Sequence, residues 1–335
     1  MPSLEVRVSE SEFSRLPQVR QPAYASDIAP VALIGAAFLD IKGRVRRDHY
    51  PASSNPGSVR VSLGGTARNI AENLARLDVP ACLLTALGDD EQGRQIALRT
   101  RAAGVCLDDE QLIVAPGAHS GSYLALLDAD GQLLVGVDDS EVLRRITPRT
   151  VHRWHRLIRH APLVVADANL RPQTLGVIVD LCRRYGTWLC LDPVSVGLAG
   201  RIKPHLDAAL LITPNMREAE ALSGMPVTSR DQALAAARAL QERGAEVVVI
   251  TMAHGGAVYA SRSASGHVPA VETEVVDATG AGDALTAGVL FGLLNDFPLD
   301  DVIALGVSMA SLAMQSSETV RSDLTLEQVY QNLKL

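Results

Sequence analysis

Cysteine is scarce: 335 residues contain only Cys82, Cys106, Cys182 and Cys190, none in a Cys-x-x-Cys pair. That excludes a paired-cysteine framework, and because most of the four lie in apolar runs they are expected to be buried, reduced thiols. Basic runs are also missing. With a net charge of −7 and no long Lys/Arg stretch, an extended phosphate-contacting surface for nucleic acid is disfavoured, although a few oriented amides can still hold a small anion. No apolar run reaches the roughly 18 residues of a membrane span, and the first residues lack a basic segment followed by an apolar one. A soluble, cytoplasmic protein without a membrane partner is expected. A GxxxxGK[ST] phosphate loop is absent, and Gly35-Ala36-Ala37 after the first apolar run is no GxGxxG turn, so nucleotide binding of those two kinds is disfavoured. His152, His155 and His160 lie in an Arg-rich, solvated stretch without a carboxylate or Cys partner and are not expected to hold a metal. Internal repeats and low-complexity tracts are missing too.

What remains is a regular alternation. Residues 1–28 are polar with scattered prolines and read as an extension expected to be only partly ordered. From 29 to 335, strand-length apolar runs (VALIGAAFLD, ACLLTALG, LVVAD, WLCLDP, ALLITPN, EVVVITMA) alternate with helical periods, two of them near 66–78 and 91–103. This βαβ pattern predicts an α/β fold: a doubly wound, mostly parallel sheet with helices on both faces. Two segments, about 41–62 and 111–138, instead show polar alternation and turn signals such as Asp130-Gly131. They predict a small antiparallel β-lid over the carboxyl ends of the strands, where ligands of open α/β sheets sit.

Three motifs carry chemistry. In VDATGAGDA (276–284), Gly280 and Gly282 permit a tight turn into an apolar helix, so the Gly280-Ala281-Gly282 amides point out at the positive helix end. Asp283 there either balances the dipole or sits beside an anion hole for a transferring phosphoryl group, where it can accept a hydroxyl proton. In SLGGTARNIAENLARL (62–77), Gly64 and Gly65 let backbone approach a ligand before a helix from which Asn69 projects; the plain alternative is a helix capped by Thr66. In TPNMREAE (213–220), Asn215 and Glu218 share a face of a starting helix, either as a capping box or as a pair holding hydrated Mg²⁺.

In this order, GGTARNIAENLARL, TPNMREAE and DATGAGDA resemble the ribokinase-like (phosphofructokinase-B) family of sugar and nucleoside kinases, from about Val31 to the C-terminus. Within it, SNPGSVRVSLGGTARNIAENLARL, HSGSYLALLDADGQLLVGVDD, VVADAN, LDPVS and TPNMREAEALSG are most similar to the pseudouridine kinases. The resemblance implies a ribokinase-like fold and transfer of the γ-phosphoryl of Mg·ATP to the 5′-hydroxyl of pseudouridine, or else of another ribonucleoside or sugar. A nucleoside or sugar sensor without turnover is the remaining alternative. By the same resemblance Asp283 is the catalytic base, and Gly280, Ala281 and Gly282 stabilise the phosphoryl charge. Asp40, Gly64, Gly65, Asn69 and Asn169 contact the acceptor, as Asp283 does. Asn215, Thr251, Ala253, Gly256, Gly280 and Gly282 contact ATP; Asn215 and Glu218 organise Mg²⁺ through water; and Asp277 and Thr279 lie where related kinases hold a monovalent cation such as K⁺.

Two positions depart from the family's pattern. Ala253 replaces a glycine of the Thr-x-Gly-x-x-Gly nucleotide loop, and Asp78 replaces the glycine after the Ala-Arg-Leu helix. Ser54, Asn55, Ser122 and Tyr123 of the lid are candidates to read the base. The apolar lid run Tyr123-Leu124-Ala125-Leu126-Leu127 needs a cover, which a lid-to-lid homodimer or a closed lid in a monomer would supply.

Overall fold

The computed structural model describes residues 29–47 and 49–333; the extension expected over 1–28 lies outside them. The strands are β1 (Val31–Ile34), β2 (Phe38–Val45), β3 (Gly57–Gly64), β4 (Ala81–Gly88), β5 (Leu112–Ala115), β6 (Ser122–Leu127), β7 (Leu133–Asp139), β8 (Leu163–Asp167), β9 (Trp188–Asp192), β10 (Leu211–Ile212), β11 (Val247–Thr251), β12 (Ala257–Ser261) and β13 (Ser265–Val268). The helices that matter to the site are α1 (Thr66–Arg76), α2 (Glu91–Ala102), α3 (Pro172–Tyr185), α4 (Met216–Ser223), α5 (Arg230–Glu242), α6 (Ala281–Leu294) and α7 (Leu299–Met314).

Nine strands form one sheet in the order β13-β12-β11-β10-β9-β8-β1-β4-β5. It is parallel from β11 through β5, and only β12 is reversed, pairing antiparallel with both β11 and β13. The inner strands are apolar on both sides because both sides are covered. Ala32 and Ile34 of β1 face a core with α3, α4 and α5, while Val31 and Leu33 face one with α1, α2, α6 and α7. Helix α6 is apolar nearly all round and buried over Ala284–Gly292, as befits a helix packed against both α1 and α7 in the core they share with the sheet. The chain leaves β1 towards β4 on one side and returns at β8 on the other, so the strand order reverses between β1 and β8. Loops beyond the carboxyl ends of those two strands open the crevice in which α/β sheets bind ligands.

The second sheet, β3-β2-β6-β7, is the expected lid. Its bounds differ from the sequence reading. Leu112–Ala115, placed in the lid from sequence, pairs in parallel with β4 as the edge of the main sheet, and the lid begins again only at Ser122. Nor is the lid wholly antiparallel, since β2 and β6 run parallel. Cross-strand register sorts its side chains onto two faces. One carries Ser62, Asp40, Tyr123 and Asp138 in a row, followed by Arg60, Lys42 and Ala125; the other carries Val61, Ile41, Leu124 and Val137, then Val59, Leu126 and Val135. Three cysteines are buried as expected, but Cys106 is only partly so, its Sγ 3.0 Å from that of Cys82. No helix among the described residues is long and apolar enough to cross a membrane.

Candidate active site

The start of α6 is built to stay open. Gly280 caps the helix at φ 83°, and a Cβ there would meet the Thr319 carbonyl oxygen at 2.0 Å, so only glycine fits. A Cβ on Gly282 would meet nothing within 4 Å, which shows that this glycine faces free space rather than packing. At the start of this 14-residue helix the Ala281 amide donates to the Ala278 carbonyl at 3.3 Å, and the amides that follow it lie at the positive end of the dipole beside that free space. Thr286, one turn in, donates to the Gly282 carbonyl and shares a hydrogen bond with Thr213 at the end of β10, which fixes the helix start against the sheet.

Asp283 sits in that first turn. Its Oδ2 accepts from Asn69 Nδ2 at 2.7 Å, and Asn69 Oδ1 in turn accepts from Arg68 Nη1 at 2.9 Å. Arg68 is paired with Glu72 and also donates to the Leu63 carbonyl, so the chain Glu72–Arg68–Asn69 leaves Asn69 one orientation, amide towards Asp283. Burial raises the Asp283 carboxyl to about 7; the Asn69 bond and Arg68 oppose the rise, while Asp40 and Asp167 add to it. An acid balanced near neutrality is suited to accept a proton from an alcohol. Asp40 on β2 is raised to about 6, again by burial first, with Lys42 and Arg68 holding it down. Room for its carboxylate comes from Gly64, where a Cβ would lie 2.1 Å from Asp40 Oδ1. Gly65, at φ 93°, lets α1 start against the Ala36 carbonyl.

At the switch point, Asp167 ends β8 fully buried, and its carboxylate accepts from the amides of Ala36 (2.7 Å), Ala67 (3.3 Å) and Asn169 (3.0 Å). Burial nevertheless raises it to about 6. It ties together the turn after β1, the start of α1 and the loop carrying Asn169, whose carbonyl is also gripped by Arg201. Asn169 is itself buried, and its Oδ1 has no partner. A buried unpaired acceptor beside a ligand crevice is unfavourable until something donates to it.

Across α6 from Asp283 lies a cavity of about 480 Å³. Asn215, Thr251, Ala253, Gly256, Gly282 and Ser311 are among its lining, with Met252, Val271, Leu285 and Val307 supplying apolar walls. It has the size and character of a slot for a flat apolar group, with the α6 amides at one end. Ala253 adopts φ 48°, so the position that departs from glycine does need the left-handed region. Asp78 likewise adopts φ 59°, and α1 still stops at Arg76. Asn215 and Glu218 form a full capping box: Asn215 Oδ1 accepts from the Glu218 amide at 3.0 Å and Glu218 Oε2 from the Asn215 amide at 2.9 Å.

Among the described residues no three His, Cys, Asp or Glu side chains are grouped to ligate a metal directly. The buried carboxyl of Asp192 is nevertheless raised well above its ordinary value, by burial and then by the charges of Asp283 and Glu218. Buried carboxyls that raise one another in this way are the chemistry that would suit a hydrated Mg²⁺ carried in by a nucleotide, which Asp192 and Glu218 would hold through water. A monovalent ion at Asp277 fits poorly. Its Oδ1 accepts from the Thr279 amide at 2.9 Å, and its Oδ2 is paired with Lys42 Nζ at 2.7 Å.

The candidates found in the sequence thus gather around α6, with Asp40, Gly64, Gly65, Asn69 and Asn169 on one side and Asn215, Thr251, Ala253 and Gly256 on the other. Ser122 is a correction. It shares its lid face with Leu39 and Leu124, while its neighbour Tyr123 lies in the row of Asp40 and Asp138; Asn55 is spent on the Tyr50 backbone. Lys42, Arg68, Asp167 and Asp192 join the site without belonging to any of the roles the motifs imply. Asp167 and Asp192 end strands at the ligand edge, which is a signal in itself, and Lys42 shares the period-two face of Asp40.

Compared with known proteins, residues 29–326 match the model of the pfkB family carbohydrate kinases. The Escherichia coli K12 pseudouridine kinase is 32% identical over 300 residues, covering 89% of this chain and 95% of that protein. The guanosine-inosine kinase of Exiguobacterium acetylicum is 28% identical over 290 residues, covering 86% and 95%. A putative E. coli ribokinase II, solved in complex with ATP and Mg²⁺, superposes with a TM-score of 0.78 at 18% identity, covering 92% of this chain and 99% of that one.

Proposed function

Because this chain belongs to the pfkB family of carbohydrate kinases and is thus an ATP-dependent phosphotransferase of ribokinase-like fold, we propose that it phosphorylates the 5′-hydroxyl of pseudouridine. The observation that carries the chemistry is the Asn69–Asp283 pair at the open start of α6. Asp283 takes the hydroxyl proton as the oxygen attacks the γ-phosphorus of ATP, the bond from that phosphorus to the departing ADP breaks, and the Gly280–Gly282 amides receive the charge on the phosphoryl oxygens. Mg²⁺, bound with ATP, supplies neutralisation of the phosphates. Asp40 and Asn169 hold the ribose, the unpaired Asn169 Oδ1 accepting from one of its hydroxyls. The polar row of the lid closes over the acceptor and keeps water from competing for the phosphoryl group.

The choice of pseudouridine is supported by the 32% identity to a pseudouridine kinase over most of both chains and by the lid. Tyr123, between Asp40 and Asp138 on the inner face, offers both a ring face and a hydroxyl to a C-linked uracil, whose extra ring N–H needs an acceptor. Sites that pair a buried polar group reject a substrate that leaves it unpaired. The 28% identical guanosine-inosine kinase favours a purine nucleoside as the second reading. ADP release measured side by side with pseudouridine, uridine, adenosine, guanosine, inosine and ribose tests the assignment. The highest kcat/KM is expected for pseudouridine, and a preference for any of the others overturns it. Asp283→Ala is expected to lose at least about 10²-fold in turnover; a near-normal rate in the folded variant removes Asp283 from the mechanism.

The outer lid face exposes Val59, Val61, Leu124, Leu133, Val135 and Val137. An apolar sheet face of this kind suits a lid-to-lid homodimer. Sedimentation as a monomer at micromolar concentration would rule that arrangement out.

A further inference from the structure

We infer that the lid carries its own cation: the Lys42 ammonium takes the place beside the anion hole that a diffusible monovalent ion would fill, so that turnover needs no K⁺. Asp277 lies three residues before Gly280, and the loop between them sets where the helix-start amides point. Both its carboxylate oxygens are engaged, Oδ1 by the Thr279 amide and Oδ2 by Lys42 Nζ. Burial pushes this carboxyl up, but the Lys42 and Thr279 bonds outweigh it and hold it below the ordinary carboxylate range.

Lys42 comes from β2, 235 residues away in sequence, and its side chain is only 9% exposed against 20% for Asp277. A buried ammonium tethered to the lid competes against a free ion with the advantage of its high local concentration. It brings the same single positive charge, with a strong hydrogen bond besides. Because the charge rides on the lid, it is delivered only when the lid lies over the site. There a second contact, Ser62 Oγ to Thr319 Oγ1 at 3.2 Å, joins β3 to the segment that packs on Gly280. Lys42 is therefore a positioning residue: it acts through Asp277 on the loop and links lid closure to completion of the anion hole. The inference rests on Gly280–Gly282 being that hole.

The test compares the protein with Lys42→Ala and Lys42→Arg in KCl, NaCl and choline chloride at one ionic strength. It measures turnover with Mg·ATP and nucleoside and, separately, thermal unfolding without either. The unaltered protein is expected to turn over at rates within about twofold in all three salts, since only general screening remains, and to unfold at one temperature in each. Lys42→Ala should turn over at least about tenfold more slowly in choline, as a displaced loop misplaces the amides, and should recover in KCl. Its unfolding temperature should rise with KCl but not with choline, while Lys42→Arg stays indifferent to the salt. Activation of the unaltered protein by K⁺ of more than about fivefold would overturn the inference. So would a folded Lys42→Ala that matches it in choline or unfolds identically in KCl and choline. If no nucleoside is turned over, the proposed function fails, and the unfolding series still decides on Lys42.

Discussion

Replacing Asp283 with asparagine separates what this carboxylate does from what holding it costs. In Asp283→Asn the shape is kept, and the new amide oxygen can accept from Asn69 Nδ2 where Oδ2 now does, at 2.7 Å. What disappears is a carboxyl that burial raises from 3.8 to about 7. About three units at 1.36 kcal/mol each is about 4 kcal/mol; since Asp40 and Asp167 push on the same group and titrate with it, about 2 kcal/mol is the working figure. The sign follows from which state holds the proton. Below the unfolded value of 3.8 the group is neutral in both states, and variant and parent differ little. Between 3.8 and about 7 the unfolded chain ionises while the folded one keeps its proton, so the parent loses stability as pH rises, and above about 7 the deficit is constant. Urea unfolding followed by circular dichroism, without ligands, should therefore find Asp283→Asn little changed near pH 4.5 and more stable by about 2 kcal/mol near pH 8.5, although its turnover is lost. A variant less stable than the parent near pH 8.5, or a gain equal at both pH values, would refute the reasoning.

Ala253 adopts φ 48° in a loop lining the cavity proposed to take ATP, so Ala253→Gly is expected to leave stability unchanged or raise it by up to about 1 kcal/mol and to lower KM for ATP by up to about fivefold. A loss of more than that amount in thermal unfolding would show that the loop carries no strain there. Gly64→Ala brings a methyl to 2.1 Å from the Asp40 carboxylate. It should raise KM for the nucleoside at least about tenfold, the effect of about 1.4 kcal/mol, with KM for ATP unchanged; equal effects on both would point to damage to the sheet instead.

The sequence made some of this readable and hid the rest for identifiable reasons. Gly280, Asp283, Gly65 and Asn69 could be read because each lies in a short segment where backbone conformation and chemistry coincide. Asn215 and Glu218 were readable only as a pair with two meanings, and the structure contains the capping box. Lys42 and Asp167 act across 235 and 131 residues, and no local pattern announces such a contact. Leu112–Ala115 was misplaced in the lid because a four-residue apolar run has no direction of its own; its parallel pairing with β4 decides its sheet. Ser122 was assigned the wrong face by a single residue, the smallest error a strand allows and one that inverts the side chain completely.

The two faces of the lid follow odd and even positions of the same strands, with Asp40 and Lys42 alternating with Leu39 and Ile41. Acceptor choice can therefore drift by substitution at alternate positions while the residues between them keep the outer surface intact. A single-residue insertion or deletion within β2 or β6, by contrast, would exchange the two sets at once. Such strands should vary freely in residue type through descent and hardly at all in length.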